Sequence, residues 1–203
     1  LTNTKSKVSS HYLIKNNGEI LTLVPDLYIA WHAGVSSWKN YKSINKYSIG
    51  IEISNPGHEY FYKKFSKKQI KSILKLSTYL RKKYKIKSNF ILGHSDIAPD
   101  RKKDPGEKFP WKYLSKNKIG HWHNLNEKKL FKKRNQIVDK LEKNIFIKNL
   151  YKLGYPKNIL FNKYKYSKLL ITAFQRRFRQ ELVNGIIDQE CLFISNNLAK
   201  NLK

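Results

Sequence analysis

Phe90-Ile91-Leu92-Gly93-His94-Ser95-Asp96-Ile97-Ala98-Pro99-Asp100-Arg101-Lys102-Lys103-Asp104-Pro105-Gly106 is a short apolar run that opens into a loop dense with reactive groups. Phe90 to Leu92 predicts a strand, and the loop behind it carries a histidine, a lysine and a carboxylate. A catalytic zinc site takes three protein ligands of the His, Asp or Glu type and leaves a fourth position for water. His94 and Asp104 have the character of two such ligands. Lys102 stands two residues before Asp104, so an extended segment turns both side chains to one side. A lysine there can stabilise negative charge developing on a carbonyl oxygen beside a metal.

Upstream, His11 to Lys15, then Asn16-Asn17-Gly18, then Glu19 to Val24 predict a hairpin, with Asn17-Gly18 suited to a primed turn. Tyr47 to Ser54 predicts a third strand, its isoleucines at 49, 51 and 53 alternating with Gly50, Glu52 and Ser54. Ser66 with Gln69 forms a capping box and opens a helix to about Tyr84, with Ile70, Ile73, Leu74, Ser77 and Leu80 on one face. Strands and a long helix in this order predict an α/β domain over residues 1–123, with a mixed central β-sheet flanked by helices. Residues 124–143 read as a charged helical linker, with Leu130, Phe131, Ile137, Val138 and Leu141 as a thin apolar stripe over 126–142. Residues 144–203 read as a small all-α module. Its helices fall at about 144–152, at 167–180 behind Ser167 and at 188–200 behind Asp188, separated by Gly154-Tyr155-Pro156 and Asn184-Gly185.

The 203 residues are 40% hydrophobic and 13% aromatic, the composition of a folded chain rather than a disordered tail. No apolar run approaches the roughly 18 residues that span a bilayer. Forty-two Lys and Arg against 14 Asp and Glu give a net charge of +28, which would attract a polyanion. The lysines are spread over the whole length and form no nucleic-acid-binding motif, so they read as a composition bias that also enriches Asn, Ile and Tyr. Nucleic acid is therefore not an expected partner. Cys191 is the single cysteine, which excludes an intrachain disulfide and fits a small core residue. A chain that begins at Leu1 and contains no Met is expected to be processed or a fragment.

Glu52 lies mid-strand, opposite the isoleucine face. A carboxylate near a zinc-bound water can accept its proton and pass it to a leaving nitrogen. Trp31-His32-Ala33-Gly34 and Ser36-Ser37-Trp38 form an aromatic loop that reads either as packing or as a platform for a saccharide or peptide. His121 and His123, at two-residue spacing, could share a face and bind a metal, but no carboxylate or cysteine stands beside them. His58 reads as ordinary surface.

Ser9-Ser10-His11-Tyr12-Leu13-Ile14, Trp31-His32-Ala33-Gly34, Ser48-Ile49-Gly50-Ile51-Glu52 and the segment from His94 to Trp111 together resemble the zinc-dependent N-acetylmuramoyl-L-alanine amidases. That family is related to phage T7-type lysozyme and the peptidoglycan-recognition proteins. The resemblance covers about residues 1–123. Leu153-Gly154-Tyr155, the run Ala173 to Arg179, and Asp188 resemble a helical peptidoglycan-binding module. The resemblance implies a Zn2+ cofactor held by His94 and Asp104, with Glu52 and Lys102 as the catalytic pair. It implies substrate contacts from Trp31, His32, His11 and Asn45. The expected reaction is hydrolysis of the amide joining N-acetylmuramic acid to L-alanine, in peptidoglycan or muropeptides. It further implies a monomer working in the periplasm or in association with the cell envelope or outer membrane.

The family's first zinc ligand is a histidine ending an N-terminal strand, and this chain starts inside the following connection, at Leu1-Thr2-Asn3. His11 matches a different family position. With two ligands the chain as it stands is expected to be weak or inactive. The alternative is a catalytically inactive peptidoglycan-binding protein of the same fold.

Overall fold

Tyr12–Ile14 (β1) is the central strand of a three-stranded mixed sheet. Ile20–Thr22 (β2) pairs with it antiparallel. A second two-stranded sheet joins Ser37–Trp38 (β3) to Tyr41–Lys42 (β4). Ile51–Ile53 (β5) then returns parallel to β1, which sets Glu52 opposite Leu13. The computed structural model describes residues 8–157 and 163–202, with side chains from 166 onward in the second stretch. The expected connection at Leu1-Thr2-Asn3 lies outside the described residues.

The hairpin forms, but by a different turn from the one predicted. Gly18 N donates to Lys15 O at 2.9 Å, and Gly18 is the turn residue with positive φ (+85°), whereas Asn17 is not among the positive-φ residues. That is a turn closed by a left-handed glycine rather than a two-residue primed turn, which would need positive φ at Asn17 too. A side chain at 18 would also meet the Lys68 carbonyl at 2.9 Å.

Lys67–Lys83 (α1) starts at the predicted capping box: Gln69 N donates to Ser66 Oγ and Ser66 N donates to Gln69 Oε1. Gln69 is buried and donates as well to Ser54 O at 2.7 Å, which ties the helix start to the end of β5. Ile73, Leu76 and Leu80 cover Tyr12 and Ile14, with Phe65, Phe109, Trp111, Leu114 and Ile119 completing that core.

The strand predicted at 90–92 is absent. Ser88–Phe90 is a turn of 3-10 helix, and Ile91 is extended without a strand partner. The Ile91 carbonyl instead accepts from Arg177 Nη2 at 3.0 Å, so a side chain takes the place of a ladder bond. His94–Ile97 (α2) follows directly, then Trp111–Ser115 (α3).

The helix predicted over 126–142 is broken in two. Glu127–Phe131 (α4) ends early, Asn135 takes φ +62°, and Asp139 opens a new helix through its own capping box with Glu142. That helix, Lys140–Leu153 (α5), is longer than the predicted 144–152. Lys163–Phe178 (α6) runs through Ser167 instead of starting behind it. Gln189–Lys200 (α7) starts where predicted, with Asp188 accepting from Cys191 N at 3.0 Å. Cys191 is buried beneath it. One continuous core unites Phe146, Leu150, Leu170, Phe174, Cys191 and Leu198 with Ala33, Trp38, Ile44, Ile97 and Ala98. The helices after residue 139 thus share their interior with the loops that flank His94.

Candidate active site

Glu52, His94, Lys102 and Asp104 come from three separate segments. Glu52 stands exposed on β5, and Ile51 and Ile53 on either side are partly buried. His94 is the first residue of α2. Asp104 returns on the loop after α2, whose path is fixed by Ser95 N donating to Asp104 O at 2.9 Å. Tyr62 holds the far side of this loop: its hydroxyl donates to Pro105 O at 2.6 Å and accepts from Lys108 N at 2.9 Å.

His94 Nδ1 lies 3.1 Å from Asp104 Oδ2, and His94 Nε2 lies 3.2 Å from Ala33 O. Both ring nitrogens therefore face acceptors, whereas a neutral imidazole carries a single N–H. A cation in place of the Nδ1 proton fits this arrangement. With Nε2–H on the Ala33 carbonyl, His94 Nδ1 and the Asp104 carboxylate would be the donors to such a cation, as is usual for a ligating histidine with its second nitrogen engaged. Among the described residues no group of three His, Cys, Asp or Glu could hold a metal ion. The imidazole of His94 and the carboxylate of Asp104 are of the donor types that zinc takes.

The charges around this pair oppose one another. Although its residue surface is exposed, packed neighbours partly desolvate the Glu52 carboxyl and raise its pKa above the ordinary carboxylate value, and the Asp104 charge raises it further, against His94 and Lys102. Burial pushes Asp104 up too, but the His94 hydrogen bond and the charges of His94 and Lys102 outweigh it and hold Asp104 low. One carboxylate is thereby kept ionised beside His94, while its neighbour is tuned towards holding a proton. The Lys102 charge lowers the pKa of both carboxyls.

The remaining predicted residues divide. Trp31 is 61% exposed and available to a ligand. His32 is partly buried, 3.4 Å from Ser48 Oγ; burial first, then the charges of His11 and His94, lower its pKa to about 4, so it is neutral at pH 7. His11 is buried beneath the site. Its Nδ1 accepts from Gly50 N and its Nε2 bonds Tyr28 O, both at 3.0 Å, which leaves no ring nitrogen for a substrate or a metal. Asn45 is also buried, and its Oδ1 accepts from His32 N and Ala33 N. It shapes the Trp31–Ala33 loop. Arg101, unassigned from sequence, donates to Ala33 O and, at 2.9 Å, to Val35 O. Its place beside Lys102 was the available signal.

A family model described as N-acetylmuramoyl-L-alanine amidase matches residues 1–107. The chain belongs to the N-acetylmuramoyl-L-alanine amidase family. It is 33% identical to the amidase AmiD of Escherichia coli K12, over 98% of this chain and 76% of that protein. It is 40% identical to the 1,6-anhydro-N-acetylmuramyl-L-alanine amidase AmpD of Haemophilus influenzae, over 54% of this chain and 58% of that one. Among solved structures, E. coli AmiD in complex with anhydro-N-acetylmuramic acid-L-Ala-D-gamma-Glu-L-Lys superposes with a TM-score of 0.84, covering 96% of this chain and 80% of AmiD at 33% identity. AmpDh3 of Pseudomonas aeruginosa, in complex with anhydromuramic pentapeptide, gives 0.83 at 28% identity, covering 98% and 84%. The two-sheet, multi-helix arrangement is thus an amidase fold over nearly the whole chain, including the helices beyond the 107 matched residues.

Proposed function

We propose that this protein is a zinc-dependent hydrolase of the amide between N-acetylmuramic acid and L-alanine, in peptidoglycan or muropeptides. The observation that carries the reading is the His94 Nδ1–Asp104 Oδ2 contact at 3.1 Å, with the Glu52 carboxyl coupled electrostatically to both residues. His94 and Asp104, whose donor atoms the fold brings together, would hold the ion. Zinc bound there would polarise the scissile carbonyl and lower the pKa of its water to about 7. Glu52 takes a proton from the attacking water on a carboxylate oxygen and returns it to the amide nitrogen as the C–N bond breaks. Its raised pKa favours holding that proton between the two steps. Lys102 Nζ offsets the negative charge on the carbonyl oxygen. The products are a lactyl carboxylate and a stem peptide with a free amine.

A second reading, a catalytically inactive wall binder of the same fold, is favoured by the lack of a three-donor group among the described residues. Under either reading, residues 144–203 contribute binding to peptidoglycan, and work on the intact wall puts the protein in the periplasm or envelope. Mass spectrometry of muropeptides incubated with the protein and zinc, beside Glu52→Ala, separates the two. Stem peptide released by the wild type alone supports the amidase. Retention on purified sacculi without any release supports the binder, and neither result would remove both readings.

A further inference from the structure

Asp96 is 1% exposed, and its carboxylate is fully engaged. Oδ2 accepts from Gly93 N at 2.8 Å and from Arg177 Nη1, and Oδ1 accepts from Tyr155 OH at 2.8 Å. Gly93 caps α2, whose first residue is His94. Arg177 and Tyr155 belong to the C-terminal helical part, 81 and 59 residues further along the chain. Arg177 also donates through Nη2 to Ile91 O at 3.0 Å, and its guanidinium carbon lies over Trp111, 4.1 Å from the ring centroid. Tyr155 packs edge-on against Trp38 at 5.1 Å, and Lys39 N donates to Gly154 O at 2.8 Å.

We propose that Tyr155 and Arg177 are positioning residues for His94, clamping its one-turn helix from both sides through the Asp96 carboxylate and the Ile91 carbonyl. The inference rests on the amidase reading above. Helix α2 has four residues, too few to be stable by its own hydrogen bonds, so its orientation must come from outside it. A buried ion pair contributes little net stability compared with apolar residues of similar shape, so the role assigned to this one is to fix the geometry of the helix it holds. Metal ligands tolerate displacements of only about 0.5 Å, so a fixed geometry is what His94 requires. The C-terminal helices accordingly form the back wall of the catalytic centre, whatever else they bind.

The test uses the full protein with Tyr155→Phe, Arg177→Met and Arg177→Lys. Zinc affinity is measured by chelator competition, kcat and KM on an anhydromuramyl tripeptide, and hydrogen exchange over residues 93–104 by mass spectrometry. Loss of an outer-shell partner typically costs about 10–100-fold in metal affinity or activity. Tyr155→Phe and Arg177→Met should show that loss in zinc affinity and kcat, with KM unchanged and exchange over 93–104 faster. Arg177→Lys should recover part of it, because one ammonium cannot serve Asp96 and Ile91 with fork geometry. Folded variants with wild-type zinc affinity, kcat and exchange would overturn the proposal. Tyr155→Phe removes a single hydroxyl, so it keeps the test decisive if Arg177→Met fails to fold. A wild-type protein that neither binds zinc nor turns over would remove the amidase reading alone, and the exchange rates would still decide the clamp.

Discussion

Gly50 lies so close beneath the His32 imidazole that a Cβ at position 50 would stand 2.3 Å from His32 Cγ. The same residue donates its N–H to His11 Nδ1 at 3.0 Å. Gly50→Ala must therefore move either the ring or β5, two residues before Glu52. Overpacking of this kind costs about 1–3 kcal/mol. The urea midpoint should fall accordingly, with a loss of turnover alongside it. An unchanged midpoint would mean that His32 swings out freely.

Glu52→Gln keeps the shape of the side chain and removes its ability to take a proton. Loss of a general base typically costs about 10²–10⁴-fold. Stem-peptide release should fall by that factor while the melting temperature stays the same or rises, since a partly desolvated carboxyl next to Asp104 has been neutralised. Wild-type release by the glutamine variant would show that Glu52 carries no proton.

Dialysis against a chelator should abolish hydrolysis, and zinc should restore it. Asp104→Asn should raise the zinc dissociation constant by more than the roughly 10–100-fold typical of an outer partner, because a direct donor has been lost. Calorimetric titration with zinc is the measurement. An asparagine variant with wild-type affinity would remove Asp104 from the ligand set.

His123 has a side chain only 1% exposed, and burial lowers its pKa to about 4, against a smaller opposing pull from Glu127. The unfolded chain binds this proton near pH 6.5, the folded one near 4. Stability from the neutral ring is therefore complete above about 6.5 and is lost progressively as pH falls towards 4. The urea midpoint should drop between pH 7 and 5, with a shallower drop in His123→Leu. Identical slopes in the two proteins would show that His123 is not the group that titrates.

What the sequence made legible is local or periodic. Ser66 and Gln69 cap α1 because both halves of the box lie within four residues, and the Asp188 cap is of the same kind. Of the four reactive residues singled out from the sequence, His94 and Asp104 are brought into contact at 3.1 Å by a loop only ten residues long. The strand predicted at 90–92 failed because the Ile91 carbonyl is taken by Arg177, 86 residues later. His11 looked like a cleft residue because nothing nearby reveals that Tyr28 O and Gly50 N, 17 and 39 residues away, occupy both its nitrogens. Long-range side-chain-to-backbone bonds leave no periodic trace in a single chain.

The shared core of Trp38, Ile44, Ile97 and Ala98 with Phe146, Leu170 and Phe174 also bears on how such enzymes can be recombined. A graft that swaps everything after residue 143 for an unrelated targeting head would strip that apolar surface bare and orphan the Asp96 charge. A workable chimera has to carry α5 to α7 along and append its new head beyond them.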